Sequence, residues 1–132
     1  MANEQLEKLL RKIREVEGSD LHLSAGMPPK IRVHGHLRPV SKEVLTNKQV
    51  EDLLLPSLDE KRRKIFDEKN DLDWAYAIPG MARFRCSFFR QQHGMSGVFR
   101  IIPEEIKTVR ELGIPEHIED FCKLRNGLIL CT

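Results

Sequence analysis

Apolar residues near the start of the chain recur every three or four positions, which is the spacing of one face of an α-helix. The pattern predicts an amphipathic helix over about residues 4–16, with Asn3 in the N-cap position and Gly18 after the end. Residues 20–24 then alternate between polar and apolar, as a half-buried strand does. A strand pair, or one bent strand, is predicted around Gly35.

Two segments in the middle of the chain have the form of a capping box, in which a Ser or Thr is followed three residues later by Glu or Gln. They are Thr46-x-x-Gln49 and Ser57-x-x-Glu60. Each predicts the start of a helix, and apolar positions follow both at helical spacing.

Three further strands are predicted over about residues 71–78, 82–90 and 96–102. Pro79-Gly80 and His93-Gly94 lie between them and predict turns. Strands this close together favour an antiparallel meander, so the predicted fold class is α+β with a mostly antiparallel sheet flanked by helices.

The last thirty residues follow a different pattern. They predict a short helical piece that ends at Gly113, and a second helix that Pro115 opens. Residues 128–132 are a continuous apolar run, typical of a strand buried on both faces of a parallel sheet. We expect this run to belong to a sheet downstream of residue 132; the alternative is a last strand of this domain's own sheet.

Length and composition add the broad class. The chain has 132 residues, of which 40% are hydrophobic and 32% charged, and this describes one ordinary globular domain. No apolar run approaches the length of a membrane span, and the first residues lack the apolar core of a secretory signal. Three widely spaced cysteines argue against a disulfide framework and for a reducing compartment. These features predict a cytoplasmic protein.

Positive charge is concentrated in two stretches, although the net charge is only +2. Residues 21–42 and 74–103 contain no Asp or Glu, and each stretch carries four Lys or Arg side chains. The basic residues are Lys30, Arg32, Arg38 and Lys42, then Arg83, Arg85, Arg90 and Arg100. Such stretches suggest surfaces that meet anions, but charges that merely solvate exposed strands explain them equally well.

Arg85 and Arg100 lie on neighbouring predicted strands, where two guanidinium groups can share one sheet face and converge on one anion. Arg90 is a weaker candidate because it lies near a turn. From spacing alone, ion pairs with Asp71 or Asp73 that stabilise the sheet remain the simpler interpretation.

Histidines and apolar residues offer fewer candidates. His34-x-His36 places two imidazoles on one predicted strand face, but no third ligand follows at a recognisable spacing, so no metal site is expected. His22 is interpreted as a hydrogen-bonded structural residue. The residues predicted to fill the core are Trp74, Phe84, Phe88, Phe99, Cys86 and Cys131.

Several segments together resemble the PilT family, the hexameric motor ATPases that retract type IV pili and are related to the PilB and GspE ATPases. The segments are 18–24, 28–37, 84–91, 97–103, 112–115 and 126–132, so the resemblance covers nearly the whole chain. The family more often has Asn at Ser87, Arg at His93 and Val at Cys131. These departures leave open whether the chain comes from the main retraction motor or from a divergent paralogue.

The resemblance implies a PAS-like N-terminal domain over residues 1–103. Residues 104–132 would be the linker, helix and first strand leading into a RecA-like ATPase domain. In the family, a Walker A loop follows the run that ends this chain. No Gly-x-x-x-x-Gly-Lys occurs in the 132 residues. We therefore expect the full protein to be a Mg-dependent ATPase and the chain alone to be inactive, with no catalytic residue of its own.

The resemblance also implies site residues and partners. Arg85 and Arg100, with Arg90 as a weaker candidate, would contact the phosphates of ATP, which is bound with Mg mainly by the C-terminal domain. The expected partners are the chain's own RecA-like domain, a neighbouring subunit of a homohexamer and the inner-membrane platform protein of the pilus. The protein would be cytoplasmic and peripheral to the inner membrane.

Two other functions compete with this one. A PAS-type sensor or interaction module would bind a small ligand in a sheet-lined pocket. Nucleic-acid binding by the basic stretches is disfavoured by the small net charge, and no nucleic-acid partner is expected.

Overall fold

The computed structural model of the chain describes residues 4–103, 105–130 and 132, and in them one six-stranded sheet carries helices on one face. The elements are α1 (Glu4–Glu15), β1 (Asp20–Ser24), β2 (Lys30–Val33), β3 (His36–Pro39), α2 (Asn47–Leu54), α3 (Glu60–Lys69), β4 (Asp71–Ile78), β5 (Ala82–Gln91) and β6 (Gly94–Ile102). Short 3-10 helices cover Leu55–Ser57 and Glu116–Lys123. The predicted α+β class is confirmed.

All neighbouring strands are antiparallel, in the order β3-β2-β1-β6-β5-β4. The predicted meander is the half formed by β4, β5 and β6. The region around Gly35 is a strand pair rather than one bent strand, because His34 and Gly35 both take positive φ (47° and 81°) in the turn. The long-range pairing of β1 with β6 joins the two halves of the sheet.

Alternation along the strands separates a buried face from an open one. On β5, Phe84, Cys86 and Phe88 are fully buried, whereas Arg83 and Arg85, at alternate positions, are exposed. The helices supply the other side of the core. Their fully buried apolar residues are Leu6, Leu10, Ile13, Val50, Leu54 and Phe66.

Gly97 on β6 lets α2 approach the sheet. A Cβ atom at this position would lie 2.7 Å from Leu54 Cδ1 and 3.1 Å from Phe88 Cδ1. Both neighbours are fully buried. The absence of a side chain at Gly97 therefore sets how closely α2 packs over β5 and β6.

The helix starts only partly follow the predicted caps. Thr46 and Gln49 form the predicted capping box at α2. The prediction for Ser57 is wrong, because α3 is capped by Asp59, whose carboxylate accepts from the Arg62 backbone N–H at 2.8 Å. The Ser57 hydroxyl instead donates to the Leu54 carbonyl. Asn3, the predicted cap of α1, lies outside the described residues.

The segment after β6 departs most from prediction. The predicted piece ending at Gly113 is a turn, and the predicted helix after Pro115 is the 3-10 run Glu116–Lys123. Leu128–Leu130 form no strand, and Cys131 lies outside the described residues. Apolar side chains here are exposed, Leu128 by 82%, and among the described residues no strand of the sheet pairs with residues 128–130.

Candidate anion-binding site

Four charged residues form a row across the open face of the sheet. Asp20 on β1 lies opposite Arg32 on β2 and opposite Arg100 on β6, and Arg100 in turn lies opposite Arg85 on β5. Directly opposite residues share a face, so the row reads Arg32, Asp20, Arg100, Arg85 across four adjacent strands. It carries three positive charges and one negative charge.

Asp20 anchors the row. Its side chain is only 3% exposed. Oδ1 accepts a hydrogen bond from Arg100 Nε at 2.7 Å, and Oδ2 accepts one from Ser19 Oγ at 2.7 Å. Arg32 Nε lies 3.4 Å from Oδ2. Burial tends to raise the pKa of Asp20, but the hydrogen bonds from Ser19 and Arg100 outweigh it, so the net pKa is lowered and the carboxylate stays charged at neutral pH.

The arginines of the row on β6 and β5 are available to a ligand. Arg100 is 65% exposed, and within the described segments its hydrogen bonding is limited to the Nε contact with Asp20. Arg85 is exposed and makes no ion pair or side-chain hydrogen bond with any described residue. Like charges directly opposite repel each other, and an anion between them removes that repulsion. A phosphate group suits two such planar donors.

The acid in this site is not one that the sequence suggested. Asp71 and Asp73 make no ion pair with an arginine in the described part of the chain, and the carboxylate comes from Asp20 instead. Its polar position in the alternating segment 20–24 was a signal that its side chain shares the face of β1 with other polar groups. The pairing of β1 with β6, which brings Asp20 to Arg100, leaves no local signal.

Arg90 is not brought together with Arg85 and Arg100. Its side chain is on the helix-covered face, where it lies 3.3 Å from Glu51 and 3.7 Å from Asp67. Its guanidinium carbon lies 5.1 Å from the centre of the Phe66 ring. These contacts hold α2 and α3 against β5.

Two predictions about histidines are wrong: the shared strand face of His34 and His36, and the hydrogen bond of His22. His34 and His36 do not share a strand face, because His34 lies in the β2–β3 turn. Among the described residues, no group of three or more potential ligands could hold a metal ion. His22 Nε2 is buried without the predicted hydrogen bond, and burial lowers the pKa of this histidine. A neutral imidazole is therefore favoured beside the row.

The predicted core residues are mostly confirmed. Phe84, Phe88 and Phe99 are fully buried, and the rings of Phe88 and Phe99 meet edge to face at 5.5 Å. Trp74 is only partly buried. Burial raises the pKa of Cys86 to about 12, so this thiol is an unreactive core residue.

A groove of about 390 Å³ lies on the helical side. Its apolar floor includes Leu9 of α1 and Leu53 of α2, and Lys8 and Lys12 also line it. Residues of the six strands do not line this groove, so it is not the sheet-lined pocket that a PAS-type sensor requires.

The chain resembles two known proteins over most of its length. The type IV pilus retraction ATPase PilT of Pseudomonas aeruginosa is 43% identical over 114 residues, which are 86% of this chain and 33% of that protein. The type IV pilus ATPase PilU of the same bacterium is 36% identical over 126 residues, which are 96% of this chain and 33% of PilU. The chain belongs to the PilT family. It corresponds to the N-terminal domain and spans about a third of the length of these PilT-family proteins.

Solved structures agree with this assignment. A crystal structure of the pilus retraction motor PilT with bound ADP matches 90% of the chain, and 35% of that PilT chain, with a TM-score of 0.75 and 29% identity. The ATPase DotB of Legionella pneumophila covers 91% of this chain, and 34% of its own, at a TM-score of 0.67; at 18% identity it supports the fold alone. No family profile matches the chain. Among the described residues, no helix has the length and hydropathy to span a membrane.

Proposed function

We propose that this chain is the regulatory and assembly domain of a hexameric motor ATPase that drives type IV pilus retraction. Arg85 and Arg100 would contact the phosphates of ATP held mainly by a RecA-like domain that follows. The observation that supports this role is the pair of exposed guanidinium groups directly opposite each other on the open face of the sheet. An adenine nucleotide is proposed as the ligand because the related PilT and PilU proteins are ATPases and the PilT motor binds ADP.

The chemistry of phosphoryl transfer suits this pair. Negative charge spreads over the γ-phosphate oxygens in the transition state, and arginine supplies a planar, permanently charged donor. Two arginines on a rigid sheet would reach the phosphate only when the two domains close, which would couple ATP binding to a rigid-body movement. Packing against the adjacent subunit would pass that movement around a homohexamer.

The nucleotide itself must be held elsewhere. The chain has no Gly-x-x-x-x-Gly-Lys, and its described residues offer no carboxylate cluster for Mg. We therefore assign Mg and the phosphate-binding loop to the RecA-like domain, and expect the 132 residues alone to hydrolyse no ATP. Residues 1–103 would form the regulatory domain. Residues 104–132, with their exposed apolar side chains, would pack against the ATPase domain.

The same proposal sets the location. As part of the pilus motor, the protein would act in the cytoplasm and associate with the inner membrane through the platform protein of the pilus.

The test is ATP turnover by the intact protein that contains this chain. Arg85→Ala and Arg100→Ala are expected to lower turnover by about 10²-fold or more, because each removes a donor to developing charge. Arg38→Ala is the matched control, since it removes the same charge from an exposed position on the edge strand β3. Undiminished turnover in the Arg85→Ala protein, with the fold retained, contradicts the proposal.

A further inference from the structure

We propose that Asp20 is the positioning residue of Arg100, holding its guanidinium group in place for the phosphate. This inference rests on the proposed function, because it concerns how one arginine of that site is made ready. Asp20 itself would not touch the nucleotide.

The carboxylate of Asp20 is held in place on the sheet by burial and by its contacts. It is almost fully buried, and Ser19 Oγ and Arg32 Nε both approach Oδ2. Oδ1 is thereby left for Arg100 Nε, at 2.7 Å. The backbone around Asp20 is also constrained, since β1 pairs with β2 on one side and with β6 on the other.

The contact through Nε has a specific consequence for Arg100. An arginine has five N–H donors, and this contact uses one of them. The four Nη donors make no hydrogen bond with the described residues, and the side chain is 65% exposed. Arg100 is therefore held near its base while its outer edge remains available for a bidentate contact with a phosphate.

Holding Arg100 in this way reduces the entropy lost when the anion binds. A free arginine side chain loses its rotamer freedom on binding, whereas an anchored one has lost it on folding. Arg85 shows the contrast, since it has no partner in the part of the chain that the structure describes. The site thus combines one fixed and one adjustable arginine.

Arg32 keeps Asp20 from cancelling the charge of the site. Its Nε lies 3.4 Å from Asp20 Oδ2, and its Nη1 donates to the Gly35 carbonyl at 2.9 Å. The carboxylate is therefore balanced by a second cation. Arg32, Asp20 and Arg100 together retain one net positive charge beside Arg85.

The test is a double-mutant cycle on ATP turnover by the intact protein. Asp20→Ala is expected to lower kcat by about 10- to 100-fold, as misplacement of a reacting group does, and to change KM less. In the Arg100→Ala background, the same substitution should have no further effect on kcat. Arg38→Ala is the control, because it removes an exposed arginine of the edge strand β3 and leaves Asp20, Arg32 and Arg100 in place. Asp20→Asn keeps an oxygen acceptor of the same shape, so its kcat should lie between those of the parent and Asp20→Ala.

The outcomes separate the two proposals. Unchanged turnover in Arg100→Ala overturns the proposed function, and this inference with it. Slow turnover in Arg100→Ala beside normal turnover in both Asp20 variants overturns the inference alone. An equal loss from Asp20→Ala in both backgrounds also overturns it, because Asp20 would then act on the fold rather than through Arg100.

A direct measurement needs no turnover. In the 132-residue chain, the Arg100 Nε–H signal in a ¹⁵N NMR spectrum should exchange slowly with water in the parent and in Arg38→Ala. It should exchange rapidly in Asp20→Ala. Rapid exchange in the folded parent overturns the inference whatever the turnover shows.

Discussion

Replacing Gly97 by alanine tests how α2 packs against the sheet. Gly97 lies between Leu23 on β1 and Phe88 on β5, on the helix-covered face. The added methyl carbon would lie 2.7 Å from Leu54 Cδ1 and 3.1 Å from Phe88 Cδ1, both closer than van der Waals contact allows. Because Leu54 and Phe88 are fully buried, neither side chain can move into solvent to make room.

The expected cost follows from two opposing terms. Overpacking a core costs about 1–3 kcal/mol. Replacing glycine at an ordinary φ stabilises by about 0.4–1 kcal/mol through the unfolded state. Gly97 does not have a positive φ, so backbone strain adds nothing. We expect a net loss of about 1–2 kcal/mol, equivalent to a fall in Tm of roughly 4–16 °C for about 100 ordered residues.

Urea unfolding followed by the fluorescence of Trp74 measures this loss, since Trp74 is the single tryptophan in the chain. Ser96→Ala is the matched control, one residue away on the opposite face. The buried Ser96 Oγ has no hydrogen-bond partner among the described residues, so its removal should be neutral or stabilising. A Gly97→Ala variant as stable as the parent, with the same m value, would refute the packing argument.

Three further predictions concern titration, thiol reactivity and capping. Because the pKa of Asp20 is lowered in the folded state, its contribution to stability is present above about pH 4 and is lost as pH falls through the folded pKa. When the free energy of unfolding is measured in denaturant at a series of pH values, it should therefore fall less steeply below about pH 4 in Asp20→Asn than in the parent. In a Cys131→Ser background at pH 8, a thiol reagent should modify exposed Cys122 rapidly and buried Cys86 only on unfolding, and fast modification of both thiols in the folded chain would contradict this. Asp59→Ala should lower the free energy of unfolding, measured by urea titration, by about 1 kcal/mol. Asp59→Asn should lower it much less, because asparagine still caps α3. Equal losses in the two variants would contradict the assigned cap.

Local signals in the sequence predicted much of the fold. The helical spacing of Leu6, Leu10 and Ile13 matches α1, and the alternation of Phe84, Arg85 and Cys86 matches the two faces of β5. Capping was harder to predict because two candidates stand close together. Ser57 follows Pro56 in a 3-10 turn, so its hydroxyl bonds backward to the Leu54 carbonyl and Asp59 caps the next helix.

The sequence predicted the two arginines of the candidate site but not the carboxylate that pairs with one of them. Period-two alternation is sufficient to place Arg85 and Arg100 on one face once their strands pair. The partner of Arg100 depends on a contact between residues eighty positions apart, which no local pattern encodes. Residues 128–130 show the reverse problem, because in the described part of the chain their strand-like pattern has no partner to pair with and forms no strand.

On the proposed function, Arg85 and Arg100 contact the phosphates of a nucleotide bound by another domain. A structure of the intact protein with a non-hydrolysable ATP analogue tests it most directly. We expect guanidinium nitrogens of both arginines at hydrogen-bond distance, about 2.7–3.2 Å, from phosphate oxygens in a closed subunit. A closed, nucleotide-filled subunit in which neither arginine reaches a phosphate would contradict it.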